Sequence, residues 1–474
     1  MALLLASISC GSGDTTTETS APDTTETTAA PRETGPGIDD LPSDLRFDGK
    51  TFDILCYLGG NLAETTGRNY FNLVVDTENG DVMNDAGYRV TREVEDRLGV
   101  DLVCAESTTE VNVVQTVTEA YLADDCEYEM IMPFTLDNMT PLLSQNMLYN
   151  IADLKYIDLD KDYYVKSAVD AYTIADRIIC LAGSYAMPTS LPSSFLYNKD
   201  AAEELGVEGL YDTVREGKWT HDTFMGLIKD SYRDLDGNSA RDVTDFYGFS
   251  TQEIMLQYLY CGYGGETVKS DENGFTFGFN TERAVSIMES IIGLRKSSDA
   301  GYYGNWNNFF DGNSLFCYYG SGADTLRDLP FEFGILPVPK LDETQENYRA
   351  FSAGGLMLVP GSIDDADMTS AVIEALYSTA HKYMPEAVTN QYIEGKLLNS
   401  EDDIEMFRLL NSSDVRVYDF TRNFDASGTQ LQNFAMINVL VKIQSTDIMS
   451  RWARIETAVT EKYNELFEAI KNAK

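Results

Sequence analysis

Two hydrophobic periodicities alternate along the chain from about residue 48. The run KTFDILCY at 50–57 is short and mostly apolar, and Gly59-Gly60-Asn61 closes it, as expected of a buried strand. Residues 85–98 (DAGYRVTREVEDRL) place Val90, Val94 and Leu98 on one helical face, with Gly99 positioned as a C-cap. A second strand is expected at 100–105, helical sequence at 111–123, and a third strand at 129–134. Strand, helix, strand, helix, strand predicts a parallel sheet with right-handed crossovers, and such sheets bind ligands beyond the carboxyl ends of their strands.

The same alternation continues downstream. SSFLYNKDAAEELGV reads as a strand running into a helix. GKWTHDTFMGLIKD opens a helix capped by Thr220 or Asp222 that packs Phe224, Leu227 and Ile228. Residues 281–296 put Val285, Met288 and Ile292 toward a core, FEFGILPVPK and FSAGGLMLVPGS read as strands, and the sequence is strongly helical from about Asp367. The length, 474 residues, calls for more than one core. No stretch of 18 apolar residues occurs, so no membrane-spanning helix is expected.

Charge narrows the function. Seventy-seven acidic against 35 basic residues give a net charge of −42, which repels nucleic acid and anionic membrane surfaces. With two histidines, His221 and His381, far apart in sequence, a histidine-based triad or multi-histidine zinc site is not expected; both read as incidental surface or loop residues. None of the seven cysteines forms a CxxC pair. Cys56, Cys104 and Cys180 fall inside strand-like runs as buried thiols, and a disulfide among them stays open.

The N-terminus carries its own signal. Leu3–Ile8 is a short apolar segment before Cys10, and a Thr/Ser-rich stretch with almost no apolar side chains follows to Pro36. This resembles the end of a lipoprotein signal peptide followed by a flexible tether, with Ser7 where Leu is usual and no basic residue before the apolar run. The resemblance implies residues 1–9 as signal peptide, lipidation of Cys10, and a disordered tether over 10–47.

Several segments, in order, resemble the extracellular solute-binding proteins of ABC transporters (family 1, the maltose-binding-protein-like group). VTREVEDRLGVDLV is similar to the family's early helix, SSFLYNKDAAEELGV to its crossover strand, and GKWTHDTF to a helix start. FFDGNSLFCYYGSG, FGILPVPK and AFSAGGLMLVPGS follow in the family's order. The resemblance covers roughly 48–400. It implies an α/β, two-lobed periplasmic-binding-protein-like fold of type II, with hinge-connected lobes and a central cleft. By analogy lobe one takes 48–188 plus 302–350 and lobe two 189–301 plus 351–474. It further implies a monomeric binding protein, not an enzyme, which captures a solute and delivers it to ABC permease subunits. The solute would be a carbohydrate, and the membrane would be met only through the lipid anchor.

Sugars offer apolar C–H faces and dense hydroxyls, so aromatic side chains beside amide and hydroxyl groups are the candidates. Tyr57, Asn61, Phe134 and Thr135 lie at strand ends and Tyr185 near the crossover. Tyr258, Tyr260 and Tyr263 frame a Gly-rich loop, Trp306 sits among Asn305, Asn307 and Asn308, Tyr319 and Ser321 follow a strand, and Phe351 and Gly354 complete the set. Each competes with a plain packing role. Trp219 and Trp452 read as packing residues.

One loop has separate chemistry. Asp234, Asp236, Asn238, Ala240, Asp242 and Asp245 fall at positions 1, 3, 5, 7, 9 and 12 of an EF-hand-like loop, with Gly at position 4 and Ser239 at position 6. Both a structural calcium and a solvated acidic turn fit it; no other cofactor is expected. Two rival functions use the same features: a secreted glycan-active enzyme with paired carboxylates, and the ligand-binding subunit of a membrane sensor.

Overall fold

The apolar strands gather into two main sheets flanked by helices in the computed structural model. It describes residues 38–57, 73–107, 112–133, 137–186, 193–297, 300–320, 326–352, 355–394, 397–428 and 430–473. Cys10, Asn61, Phe134, Thr135, Ser321 and Gly354 lie outside the described residues.

In the first sheet β1 (Lys50–Tyr57) is central, with β2 (Val100–Ser107) and β3 (Met130–Met132) parallel on either side. Phe52, Ile54, Leu55 and Cys56 are buried, as strands covered on both faces require. The helix α1 (Val82–Leu98) starts at Asp81, whose carboxylate accepts the N–H groups of Met83 and Asn84. It ends at Gly99, where φ of 64° suits glycine. Its Val90, Val94 and Leu98 face is fully buried. The second crossover is α2 (Val113–Leu122).

The second sheet begins at β4 (Ser194–Asn198), which runs into α3 (Lys199–Leu205) through the Asn198 cap. Thr220 caps α4 (His221–Ile228), and β5 (Tyr247–Ser250), α5 (Glu282–Lys296), β6 (Gly301–Tyr302), β7 (Ser314–Tyr319) and β8 (Phe333–Leu336) follow. The strand order is β6-β5-β7-β4-β8. Here β4 runs antiparallel to both neighbours, and β5 parallel to both of its own. On α5 the core face is Ala284, Ile287, Met288, Ile291 and Ile292, with Val285 only half-buried. His221, expected on the surface, is buried at the start of α4.

Pairing redraws the expected division of the chain. Residues 314–319 and 333–336, placed by analogy with the first lobe, are hydrogen-bonded to β4 in the second sheet. Met357, Leu358 and Pro360, placed with the second lobe, bridge back to Leu181, Ile131 and Leu148. The long helix α6 (Ala366–Glu394) then packs along α1. Apolar runs announce strands but do not say which sheet receives them.

Between the sheets sits a short parallel pair, β9 (Ala350–Phe351) with β10 (Arg416–Val417). Before β10, α7 (Glu401–Asn411) packs on β8. After it, the one-turn α8 (Phe420–Asn423) leads to α9 (Ala435–Lys442). The final helix α10 (Ile448–Lys471) packs on 140–144 of the first part and on α5 of the second.

Candidate functional site

The β9–β10 pair carries aromatic and cationic side chains to the place where the two sheets are joined. The Phe351 ring stacks on Tyr258 with centroids 4.9 Å apart and planes 10° from parallel. Phe434 meets both edge-on, at 5.1 and 5.5 Å. Phe434 holds φ at 59°, the left-handed region that a bulky residue adopts only when its surroundings impose it. Beside this cluster the Arg422 guanidinium lies 6.0 Å from the Tyr258 ring. Neighbouring Asn423 accepts the Met139 N–H through its carbonyl and donates to the Asp137 carbonyl, which ties α8 to the first sheet's side. Asp419 accepts from Thr267 on the other side.

Arg416 is also buried. It donates to Ser352 Oγ at 3.1 Å and to the Tyr418 hydroxyl at 3.2 Å. A cavity of about 1050 Å³ opens along the same strand. Asp170 and Thr173 line it from the first part, Arg283 and Arg349 from the second, and Arg416 and Asp419 from the connecting segment.

Of the aromatic residues expected from sequence, Tyr258 and Phe351 belong to this cluster. Trp306 and Tyr319 form a separate pair, ring centroids 4.9 Å apart, with the Trp306 indole N–H donating to the Tyr318 carbonyl at 3.1 Å. Tyr319 is buried and Trp306 half-buried. Tyr57 is half-buried at the end of β1.

Tyr185, Tyr260 and Tyr263 instead pack inward. All three are fully buried. The Tyr185 hydroxyl donates to the Leu73 carbonyl, and Tyr263 pairs its hydroxyl with His221 Nδ1 at 2.9 Å. Burial pushes His221 down to about 4, so the imidazole is neutral near pH 7. Two glycines beside these tyrosines serve packing: a Cβ at Gly262 would lie 2.5 Å from Val338 Cγ1, and one at Gly265 would lie 2.5 Å from the Tyr260 ring. None of Tyr57, Tyr185, Tyr260, Tyr263, Trp306, Tyr319 and Phe351 lines the cavity.

No protein-family model matches the sequence, and no curated protein matches it. Solved structures do. The galacto-N-biose/lacto-N-biose I-binding protein of a Bifidobacterium longum ABC transporter, in complex with lacto-N-biose, aligns over 89% of this chain and 98% of its own. Its TM-score is 0.56 at 10% identity. A cyclo/maltodextrin-binding protein complexed with maltotetraose aligns over 90% and 99%, TM-score 0.55, at 13% identity. An ABC substrate-binding protein from Listeria monocytogenes in complex with cycloalternan aligns over 87% and 99%, TM-score 0.51, again at 13% identity. The chain has the two-lobed periplasmic-binding-protein-like fold. Phe434 and Arg422 were the residues that the sequence did not point to. No pattern in DFTRNFD or LQNFAM marks them.

Away from this region, the acidic loop holds carboxylate oxygens of Asp234, Asp236 and Asp245 within 4.8 Å of one another. Ser239 takes φ of 62°, the left-handed turn that the motif needs at its sixth position. The loop also satisfies itself. Asp234 accepts from Gly237 and Ser239, Asp236 from Asn238, and buried Asp245 from Tyr232 and Leu235. Asn238 donates to Asp242, and the Ala240 carbonyl accepts from Tyr232 at 3.4 Å. The donor set suits a divalent cation in charge and spacing, and it also suits an empty, self-bonded turn.

Proposed function

We propose that this protein is an extracellular solute-binding component of an ABC importer that captures a carbohydrate between its lobes. The observation that carries the reading is the two-lobed fold, shared along nearly the whole chain with proteins whose own ligands are saccharides. The lobes we draw are 38–186 with 356–394, and 193–349 with 400–411 and 435–442, with β9, β10 and α8 connecting them. A solute touching both lobes stabilises the closed arrangement by no more than its differential affinity for that arrangement, and a permease then recognises it. The Tyr258–Phe351–Phe434 cluster and the half-buried Trp306 are the aromatic surfaces we assign to sugar rings. Tyr57 and the expected Asn61, Phe134, Thr135, Ser321 and Gly354 complete the assignment. The protein acts as a monomer without catalysis, and Cys10 carries the lipid that holds it at the cell surface. Calcium, where bound, is structural, held by Asp234, Asp236 and Asp245.

A thermal-shift screen against mono- and oligosaccharides tests the reading, since a ligand bound only by the folded state raises the melting temperature by mass action. Stabilisation by peptides or polyamines but by no sugar removes the carbohydrate assignment. Turnover of a glycan removes the binding-protein assignment.

A further inference from the structure

Arg422 is 6% exposed, yet its guanidinium donates no hydrogen bond and forms no ion pair among the described residues, and its Nε is sealed from solvent without a partner. The adjacent carboxylate does not serve it: Asp419 accepts from Thr267, from the Thr421 N–H at 2.9 Å and from the Thr421 hydroxyl at 2.6 Å. Burial accordingly holds the guanidinium below the usual arginine range. An unpaired buried cation is among the most costly arrangements a fold can carry, and arginine cannot escape by losing its proton near pH 7. Such a group marks a place where a partner arrives from outside. The stacked Tyr258–Phe351 pair stands beside it, and Gln257 in the same turn as Tyr258 is buried with neither amide atom bonded.

We infer that the captured solute is an acidic saccharide whose ring carboxylate pairs with Arg422 while its apolar face lies against the aromatic cluster. The inference rests on the sugar-capture reading and narrows it to one ligand class. A planar guanidinium offers two parallel N–H donors to two coplanar oxygens, which fits a carboxylate. Placing α8 between Thr267 of one lobe and Met139 of the other means that a ligand held by Arg422 reports on both lobes at once.

The test compares matched pairs by calorimetry and thermal shift on the full chain: trigalacturonate against galactotriose, and xylotriose with and without a glucuronate branch. At least one acid is expected to bind roughly 10- to 100-fold more tightly than its neutral partner. Arg422→Met is expected to abolish that preference while the ligand-free melting temperature holds or rises, because the variant loses an uncompensated charge. Where that variant fails to fold, Arg422→Lys keeps the charge, loses the paired donors, and is expected to lose most of the preference. If neutral sugars bind as well as or better than both acids, the inference is wrong and sugar capture stands. If no saccharide binds at all, the capture reading itself fails, and this inference with it.

Discussion

Single side chains carry the proposed solute contacts and the local stability of this molecule, and the two can be tested separately. Trp306 has its indole N–H already engaged by the Tyr318 carbonyl, so its ring face is what it can offer a sugar. Trp306→Ala should weaken the best saccharide found by about 1–3 kcal/mol in a calorimetric titration. An unchanged affinity returns the residue to packing against Tyr319. Asp245 is a different case. Its carboxylate is fully buried and accepts from the Tyr232 hydroxyl at 2.9 Å, the Leu235 N–H at 3.1 Å and the Asp242 N–H at 3.3 Å. Asp245→Ala should lower stability by roughly 2–3 kcal/mol in denaturant melts, with or without calcium, since all three donors lose their acceptor.

At the scale of strands and helices the sequence was readable, and it failed in a specific way. KTFDILCY, the Val90–Val94–Leu98 face with its Gly99 cap, and the Thr220 cap were all legible because local geometry alone decides them. The sheet that receives 314–319 and 333–336 was not, because strand pairing is set by partners far away in sequence. The candidate site suffered likewise. Gly-rich YLYCGYGG looked like a ligand loop, and its Tyr258 does join the aromatic cluster, but Gly265 accommodates the Tyr260 ring and Tyr263 meets His221, while Arg422 had no signature. Adjacent strands also make a chemical prediction. Cys56 on β1 and Cys104 on β2 bring their sulfurs to 2.8 Å. On exposure to oxidised glutathione these two thiols should cross-link ahead of Cys126, Cys180, Cys261 and Cys317, as a non-reducing peptide map would read.

Across the whole molecule, charge sets how stability and capture respond to solution conditions. Burial pushes both Glu129 and Glu374 up to about 7; Glu374 accepts from Tyr163 and Tyr164 where α6 packs near 163–164. Each folded-state value lies above the unfolded one, so folding takes up protons. This contribution is complete below about pH 4.5 and is lost as pH rises through about 7. Melting temperature should therefore fall between about pH 5 and pH 8, and Glu374→Gln should flatten that slope, removing on the order of 2–3 kcal/mol of pH dependence. The net charge of −42 acts at longer range. Added salt should speed the capture of trigalacturonate and leave a neutral sugar's on-rate unchanged, because the Debye length is about 10 Å at 0.1 M.

The bridges from Ile131 to Leu358 and from Leu148 to Pro360 bear on how the chain is made. A ribosome releases residue 131 long before residue 358, and α6, which covers α1, emerges later still. The first lobe must therefore wait, incomplete, while the bulk of the second is synthesised, its apolar strand edge open to wrong partners. A fragment ending near residue 186 should be a poor folder, one that aggregates or is degraded.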